Sequence, residues 1–199
     1  LCGTCHGAIT PSLPSRQLHS PVADGACSEC HNPHAASRDS LLKAPDPELC
    51  GSCHGDVVGL PDGSDPSLIH SPVKDGSCRS CHGGHEGVMP GLLKDRIPDV
   101  CATCHAPVID RSHLAHGHAP ASAGECLTCH APHSGPEEGL LKVPVKEVCA
   151  SCHDQATPQF KTQHHDFAVT GNCTSCHNPH GSDRKGLRPS AEHQPYAEN

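Results

Sequence analysis

Apolar residues in this chain stand singly or in short groups, so neither helical nor strand-like periodicity continues for long. The spacers are rich in Ser, Asp and Pro, and the 199 residues include 20 Pro and 19 Gly, which interrupt helices and strands. Segments in which apolar and polar residues alternate, as in a strand, are nearly absent. No apolar run approaches the ~20 residues of a membrane-spanning helix. The pattern predicts a mostly coil chain with short helices.

Short helices are expected where an acidic first turn leads into a recurring cysteine. The stretches "DPELCGSCH" and "PVKEVCASCH" have this form. Aromatic residues make up only 2% of the chain, with no Trp, one Met, one Tyr and two Phe, so the large side chains that fill most cores are scarce. Another apolar material must fill the interior.

All 16 cysteines fall into one pattern, C-x-x-C-H, which occurs eight times. The motifs are Cys2-Cys5-His6, Cys27-Cys30-His31, Cys50-Cys53-His54, Cys78-Cys81-His82, Cys101-Cys104-His105, Cys126-Cys129-His130, Cys149-Cys152-His153 and Cys173-Cys176-His177. Two thiols three positions apart can add to the two vinyl groups on one porphyrin edge, and the adjacent imidazole then reaches the iron as the proximal ligand. The sequence therefore predicts eight haems c, which would also be the buried apolar material of the fold.

Three other uses of paired cysteines fit less well. Zinc sites would combine the motifs in pairs and give no reason for a histidine after every second cysteine. A disulfide framework has the same weakness and leaves the other histidines unexplained. Eight thioredoxin-like redox centres would each need their own fold, which a chain of 199 residues excludes.

Twelve of the 20 histidines lie outside the motifs, and eight of these recur at two fixed offsets. Four stand three residues after a motif histidine: His34, His85, His133 and His180. Four stand eight residues before the first cysteine of a motif: His19, His70, His118 and His165. Because eight recurring histidines match eight motifs, we expect them to be the distal axial ligands of the iron. His113, His116, His164 and His193 are off register and are expected at the surface, unless one replaces an assigned ligand.

Bis-histidine ligation has a direct functional consequence. An iron with two axial imidazoles has no open position for a substrate, so such sites transfer electrons. The alternative class is an octahaem reductase or oxidase of a small nitrogen or sulfur compound. Those enzymes, as families, are much longer and keep one haem with an open or lysine-ligated iron, whereas no C-x-x-C-K occurs here. The sequence favours electron transfer over catalysis.

The histidines and motifs form a repeat that carries two haems. Its leading histidines, at 19, 70, 118 and 165, are 51, 48 and 47 residues apart. Such a period predicts an elongated repeat array rather than one globular core. The predicted divisions are an N-terminal half-repeat (1–18, haem 1), repeats 19–69 (haems 2 and 3), 70–117 (haems 4 and 5) and 118–164 (haems 6 and 7), and a C-terminal half-repeat with a tail (165–199, haem 8).

The chain resembles the doubled CXXCH family of multihaem cytochromes c over nearly its whole length. The resemblance is carried by the paired motifs, the "HSPV…G.C..CH.PH" blocks and the "LLK…C..CH" blocks. In haem density, the chain is most similar to small periplasmic electron carriers and to filament-forming extracellular members, often called cytochrome nanowires. The resemblance implies haems stacked in alternating parallel and T-shaped contacts, with little regular secondary structure.

The charge and the expected haems indicate where the protein resides and what it meets. A formal net charge of −8, to which haem propionates would add, argues against nucleic acid as a partner. Haem c is attached outside the cytoplasmic membrane, so we expect that a secretion signal was removed or not included. The expected location is extracellular or at the cell surface, with the periplasm as the alternative. Expected partners are copies of the chain, other redox proteins and extracellular electron acceptors.

The two ends of the chain resemble complementary halves of one repeat. "LC" at 1–2 matches "LC" at 49–50, and no second motif follows His180 as one follows His34, His85 and His133. We expect head-to-tail filaments in which His180 of one subunit ligates the Cys2-Cys5-His6 haem of the next. The alternatives are an intrachain ligand for that haem (His19, His113 or His116) and a discrete electron shuttle instead of a filament.

Overall fold

The computed structural model describes residues 2–7, 16–58 and 65–189, so the off-register His193 lies outside the described residues. The chain divides into two units, Leu1–Val100 and Cys101–Asn199. This division falls inside the predicted repeat 70–117, and the repeat boundaries stay a prediction.

Helices in the described part of the chain are short, as predicted. The α-helices are α1 (Ser20–Ala23), α2 (Asp46–Gly51), α3 (Gly55–Val58), α4 (Ser71–Lys74), α5 (Asp99–Ser112), α6 (Ala119–Ser122), α7 (Cys126–Cys129), α8 (Val145–Ala150) and α9 (Pro158–Gln163). Single 3-10 turns occupy Cys2–Thr4, Cys27–Glu29, Asp39–Leu41, Pro66–Leu68, Cys78–Ser80, Pro90–Leu92, Glu138–Leu140, Cys173–Ser175 and Lys185–Leu187. Helix α5 has 14 residues, but His105 departs from helical geometry and Pro107 follows it. None of these described helices is long and apolar enough to cross a membrane.

Three of the short helices begin directly after a predicted distal histidine. His19, His70 and His118 are the N-cap residues of α1, α4 and α6, and each helix has a proline in its first turn. Proline fits this position because its fixed φ suits the first helical turn and its missing N–H would have no helical partner. A left-handed glycine ends each segment, with φ between 69° and 73°. The result is a compact turn that leads from the histidine to the next motif.

The strands are pairs of two residues and join distant parts of the chain. Strand β1 (Gln17–Leu18) pairs antiparallel with β2 (Glu86–Gly87) in the unit Leu1–Val100, with Leu18 opposite Glu86. Strand β3 (His116–Gly117) pairs antiparallel with β4 (Gly181–Ser182) in the unit Cys101–Asn199, with His116 opposite Ser182. An ion pair from Arg16 Nη1 to Glu86 Oε1, 2.7 Å long, reinforces the first pairing. Each strand pair thereby brings together segments that are more than 60 residues apart in the sequence.

A second recurring turn follows four of the motifs, at the start of the Leu-Leu-Lys segments and of the related Leu187 segment. Two consecutive residues there have left-handed backbone angles, with φ between 56° and 74°. The pairs are Ser40–Leu41, Gly91–Leu92, Gly139–Leu140 and Gly186–Leu187. Three of the four turns use glycine in the first position, where a side chain would be strained. The turn folds the backbone back towards the preceding motif histidine.

Very little of the described chain is buried. Val100, 7% exposed, is the hydrophobic residue that is buried among the described residues, and no large side chain in those residues is fully buried. Small proteins ordinarily need an apolar core to offset the conformational entropy lost on folding. The described residues supply almost none, which agrees with the prediction that haem is the apolar interior.

Candidate haem sites

The C-x-x-C-H motifs form single helical turns. In seven motifs the backbone N–H of the histidine donates to the carbonyl of the first cysteine, at 3.0 Å from His31 to Cys27 and at 2.9 Å from His54 to Cys50, for example. The remaining motif lies within α5. One turn therefore carries both thiols and the imidazole, as two thioether bonds and a proximal iron ligand require.

The structure sets motif histidines opposite histidines from elsewhere in the chain. Five such pairs are described, and their ring centres are 5.8–6.1 Å apart. The pairs are His19 with His54 (6.1 Å), His31 with His85 (5.8 Å), His118 with His153 (6.1 Å), His130 with His180 (6.0 Å) and His164 with His177 (6.1 Å). Each pair combines one motif histidine with one that the sequence places outside the motifs.

These separations fit an iron held between two imidazoles. Each metal–nitrogen bond is about 2.0 Å and each nitrogen lies roughly 1.1 Å from its ring centre, so opposed rings on one metal have centres about 6 Å apart. Rings that stack directly on each other would be closer, as Phe160 and His164 are at 4.1 Å. The pairs therefore leave the space that a haem iron requires between its axial ligands.

Backbone carbonyls fix the orientation of four motif histidines. The Nδ1 atoms of His31, His82, His130 and His177 each lie 2.6–2.8 Å from a carbonyl oxygen nine residues later in the chain. The acceptors are Ser40, Gly91, Gly139 and Gly186, the first residues of the left-handed turns. Since a carbonyl can only accept, Nδ1 carries the proton, and Nε2 is the ring nitrogen that could bind a metal.

The non-motif histidines are oriented in the same way by other carbonyls. Nδ1 of His19 donates to Gly84 O at 3.2 Å, and Nδ1 of His118 donates to Pro179 O at 2.8 Å. His164 donates from Nδ1 to Phe160 O at 2.8 Å. These bonds again leave Nε2 free to bind iron.

Neighbouring pairs are joined through the backbone of their non-motif histidines. The N–H of His19 donates to His85 O at 2.8 Å beside the β1–β2 pairing. The N–H of His118 donates to His180 O at 3.3 Å beside the β3–β4 pairing. The second and third motif sites are thereby held side by side in the unit Leu1–Val100, and the sixth and seventh motif sites are held likewise in the other unit.

The next joint in each unit brings cysteines of consecutive motifs together. Burial raises the pKa of the Cys50 thiol to about 11, and the nearby Cys78 thiol raises it further. Burial likewise raises the pKa of the Cys149 thiol to about 11, with Cys173 as its main neighbour. These values describe thiols, which haem attachment converts to thioethers. In each case a cysteine of the next motif contributes to the raised pKa. The third and fourth motifs therefore lie close together, as do the seventh and eighth.

Close backbone packing holds the third motif against the fourth. A Cβ added at Gly76, whose φ is +69°, would lie 2.3 Å from the Cγ atom of Pro47 in α2. Nearby, Nε of Arg79 lies 2.8 Å from Oδ2 of Asp46, and Lys94 Nζ donates to the Arg79 carbonyl. This contact between the third and fourth motifs depends on glycine at position 76, because any side chain there would overlap Pro47.

The pair at the eighth motif differs from the sequence prediction. His165 was predicted as a distal ligand and His164 was expected at the surface, but His164 is half-buried and faces His177. The reason lies in the following residues: Asp166 and Phe167 replace the Ser-Pro or Ala-Pro that begins α1, α4 and α6. Without that proline no helix starts there, and His165 takes a left-handed φ of 52° instead. His164 is the C-cap residue of α9. It does not stand at the recurring offset of eight residues before a motif, so the sequence pattern did not mark it as a ligand.

The predicted partner of His180 also differs. His180 was expected to ligate a haem of another subunit, but its ring lies 6.0 Å from that of His130 in the same chain, with the ring planes 15° apart. Burial lowers the pKa of His180, and His130, Arg111 and His118 lower it further. A lowered pKa keeps the imidazole neutral, which is the form that binds metal. The sequence could not show this pairing because 50 residues separate the two histidines.

Three predicted ligands have no imidazole opposite them within the described residues: His6, His34 and His165. All three are exposed. His19, an alternative ligand for the first haem, faces His54 instead, and the other two alternatives, His113 and His116, are exposed.

The remaining predicted ligands occupy recurring local positions. His70 is the N-cap of α4, His82 donates to Gly91, His105 marks the interruption in α5, and His133 is half-buried after the sixth motif. Their roles as ligands stay predictions.

A cavity of about 510 Å³ adjoins the sixth and eighth motif sites. Its wall includes His177, His180, Arg111 and Arg188. Guanidinium groups suit carboxylates such as the propionates of haem. The lining is therefore compatible with the edge of a haem as well as with its axial ligands.

The family model of the doubled CXXCH motif matches residues 19–59, 70–109, 118–158 and 164–197. The chain belongs to the doubled CXXCH family. The first three stretches contain two motifs each and the fourth contains one, while the Cys2-Cys5-His6 motif precedes them all. The cofactor is haem c, and the eight motifs imply eight haems in the chain. The family recognised in the sequence and the mostly coil fold are confirmed.

Two curated relatives match part of the chain. Multiheme cytochrome MtrA of Shewanella baltica is 34% identical over 110 residues, which cover 53% of this chain and 31% of that protein. High-molecular-weight cytochrome c of Nitratidesulfovibrio vulgaris is 28% identical over 106 residues, which cover 43% of this chain and 18% of that protein. The chain thus spans less than a third of the length of the curated relatives it matches. Both names describe cytochromes, in agreement with haem c as the cofactor.

Proposed function

We propose that this chain is an octahaem electron carrier whose haems are held between paired histidines, and not an enzyme. The observation that carries the proposal is the set of five imidazole pairs with ring centres 5.8–6.1 Å apart. Haem iron, when bound, takes up and releases one electron. The paired imidazoles would hold the iron from both sides, so a small substrate would find no open position.

The chain's own residues keep each site ready and keep neighbouring sites close. Carbonyls such as those of Ser40 and Gly139 hold the proton on Nδ1 and direct Nε2 to the iron. The His19–His85 backbone bond joins the second and third sites, and the Cys50–Cys78 approach joins the third and fourth. Short spacing between sites is what a carrier of several electrons needs, whereas an enzyme needs an open iron.

Carbon monoxide binding tests the closed axial positions. This ligand binds ferrous haem only where an axial position is open. We expect the dithionite-reduced protein to bind at most one carbon monoxide per chain, at the Cys2-Cys5-His6 site. His180→Ala should add one binding site because it exposes the iron beside His130. His113→Ala, which changes an exposed histidine, should add none.

Uptake of two or more carbon monoxide molecules by the unaltered protein would contradict the carrier assignment. It would favour the alternative, an octahaem reductase of a small nitrogen or sulfur compound. In that case, turnover of nitrite, hydroxylamine or sulfite by the reduced protein should accompany the binding.

We further propose that copies associate head to tail into a conductive filament, with His165 of one copy completing the Cys2-Cys5-His6 site of another. In the sequence, His165 stands at the same offset from the next motif as His19 and His118, and the motif of His6 corresponds to the motifs of His54 and His153. Those equivalent residues are paired within the chain, whereas His6 and His165 have no imidazole opposite among the described residues. A contact of this kind is heterologous and generates open filaments when it does not close. A discrete shuttle is the alternative.

Two adjacent histidines provide a matched test of this association. His165→Ala should abolish filaments in electron micrographs and leave the first haem high-spin, whereas His164→Ala should open the eighth haem and leave filaments intact. Filaments with all haems low-spin in His165→Ala would overturn the scheme. A protein that stays a monomer at all concentrations would favour the shuttle.

The proposed location is extracellular or at the cell surface, with the periplasm as the alternative. It rests on the chemistry of haem c attachment, which takes place outside the cytoplasmic membrane. The proposed partners are copies of the chain, other redox proteins and extracellular electron acceptors. Fractionation of the source cells, with haem-stained gels of each fraction, tests the location.

A further inference from the structure

One imidazole pair is arranged differently from the others. The rings of His164 and His177 are inclined by 69°, whereas the other four described pairs are inclined by 15–35°. The separation of their ring centres, 6.1 Å, nevertheless lies within the 5.8–6.1 Å range of those pairs. The difference is therefore one of rotation and not of distance.

Phe160 holds the His164 ring in this orientation. Its own ring stacks on the imidazole, with centres 4.1 Å apart and planes inclined by 24°. Its carbonyl accepts the Nδ1 proton of His164 at 2.8 Å, one helical turn further along α9. A hydrogen bond alone leaves a histidine ring some freedom to turn, because its outer torsion has a broad minimum. The stacked phenyl ring removes that freedom.

The backbone of α9 in turn fixes Phe160. The Thr157 hydroxyl caps the helix by accepting the Phe160 N–H at 3.3 Å, and Pro158 occupies the first turn. The opposing ring is fixed separately, because Nδ1 of His177 donates to Gly186 O at 2.6 Å. Neither ring can rotate to match the other without losing a hydrogen bond or the aromatic contact.

The chain has few aromatic side chains that could support a histidine ring. The sequence contains only two Phe and one Tyr, and Phe167 is 79% exposed. The distal histidines His19 and His118 donate to backbone carbonyls and have an imidazole as their described ring partner. Among the described residues, the phenyl ring of Phe160 stacks on the imidazole of His164.

The angle between axial imidazole planes has a known electronic meaning for low-spin ferric haem. Near-parallel planes split the two iron dπ orbitals and give a rhombic EPR signal. Crossed planes leave those orbitals nearly degenerate and give a highly anisotropic signal at lower field. The split orbitals also stabilise the ferric state, so crossed planes favour a more positive reduction potential.

We propose that Phe160 is a positioning residue that holds His164 across His177 and makes the haem of the Cys173-Cys176-His177 motif electronically distinct. The inference rests on the proposed carrier function, in which both histidines are axial ligands. A distinct haem at this site, next to the Cys149–Cys173 joint, gives the sixth, seventh and eighth sites of this unit a preferred place for the electron to reside. Phe160 thereby influences the direction of electron transfer without touching the iron.

EPR of the ferric holoprotein tests the role of Phe160 against three variants. The unaltered protein should contain at least one haem per chain with the highly anisotropic low-spin signal. Phe160→Leu keeps an apolar side chain but no ring, and should convert one haem per chain from the anisotropic to the rhombic signal. Phe160→Tyr keeps the ring and should retain the signal. Phe167→Leu, the matched control at the exposed phenylalanine, should change nothing.

A potentiometric titration followed by EPR adds a second readout. The anisotropic signal of the unaltered protein should disappear at a more positive potential than the component that replaces it in Phe160→Leu. Mass spectra should give equal haem content in all variants. Absence of the anisotropic signal from the unaltered protein, or its full persistence in Phe160→Leu, would overturn the inference.

The outcomes separate this inference from the proposed function. His164→Ala should make one more haem per chain high-spin than in the unaltered protein, and should remove the same anisotropic signal. If His164→Ala adds no high-spin haem, the ligand assignment is wrong and the inference falls with it. If His164→Ala opens the iron but Phe160→Leu has no effect on the signal, the carrier function stands and only the role of Phe160 is refuted.

Discussion

Replacing Gly76 by alanine should weaken the joint between the third and fourth motif sites. Gly76 has a left-handed φ of +69° and faces Pro47, and a Cβ there would lie 2.3 Å from Cγ of that proline. Gly25 provides the matched control. It has the same φ of +69° and the same place in its own repeat, but nothing lies within 4 Å of its would-be Cβ. The two variants share the backbone cost and differ only in the contact.

The structure allows both costs to be given an order of magnitude. An alanine in the left-handed region costs about 1–2 kcal/mol relative to glycine, part of which is offset because alanine restricts the unfolded chain. We therefore expect Gly25→Ala to lower the free energy of unfolding by about 1 kcal/mol. The overlap with Pro47 exceeds 1 Å, since carbon atoms in contact stay about 3.5 Å apart. Overpacking of this kind adds about 1–3 kcal/mol, so Gly76→Ala should cost about 2–4 kcal/mol in total.

Guanidinium denaturation of the two holoproteins measures the difference. Unfolding is followed by circular dichroism, and the free energies are compared from the midpoints and slopes. Haem content is checked by mass so that both variants are compared as fully matured proteins. Equal destabilisation by Gly76→Ala and Gly25→Ala would refute the close packing of α2 against the fourth motif.

Two other predictions concern the site of the Cys27-Cys30-His31 motif and the turn that follows this motif. His85→Ala should make one more haem per chain high-spin in ferric absorption spectra, because the ring centres of His85 and His31 are 5.8 Å apart. His34→Ala should leave the number of high-spin haems unchanged, since no imidazole of the described residues faces His34. Ser40→Gly should raise the free energy of unfolding by about 0.5–1 kcal/mol in denaturation curves, because Ser40 has a left-handed φ of 56° where other repeats have glycine. Unchanged stability would show that the Ser40 turn is not strained.

Local chemistry could be predicted from the sequence wherever residue type alone decides it. The C-x-x-C-H spacing requires one helical turn, and the structure has that turn from Cys27 to His31 and from Cys173 to His177. Short helices before the third and seventh motifs follow from Asp46, Glu48 and Glu147 in their first turns. The scarcity of large apolar residues correctly indicated that the described part of the polypeptide has almost no apolar core of its own.

Long-range pairing could not be predicted, because the offsets carry no information about which segments meet. His180 follows its own motif just as His85 does, so the offset alone does not identify the partner of either histidine. The pairing of β3 with β4 brings His180 to His130. Those strands have two residues each and leave no periodic pattern in the sequence. His164 was overlooked for a related reason. The regular offset pointed to His165, and only the absence of a proline after it signalled that the local fold changes.

The carbonyl acceptors of the motif histidines were also absent from the sequence prediction. Their signal was present, because Ser40, Gly91, Gly139 and Gly186 all stand directly before a leucine, nine residues after a motif histidine. A backbone oxygen has no side-chain identity, however, so only the fold assigns it a role. The glycines mark the turns that need a left-handed residue, and the turns direct the carbonyls.

The spin state of the ferric iron shows whether paired histidines close the haem sites. Quantitative EPR and magnetic circular dichroism of the dissociated, fully matured chain count high-spin and low-spin haems against the eight motifs. We expect at most one high-spin haem per chain, at the Cys2-Cys5-His6 site. Two or more high-spin haems per chain would contradict it.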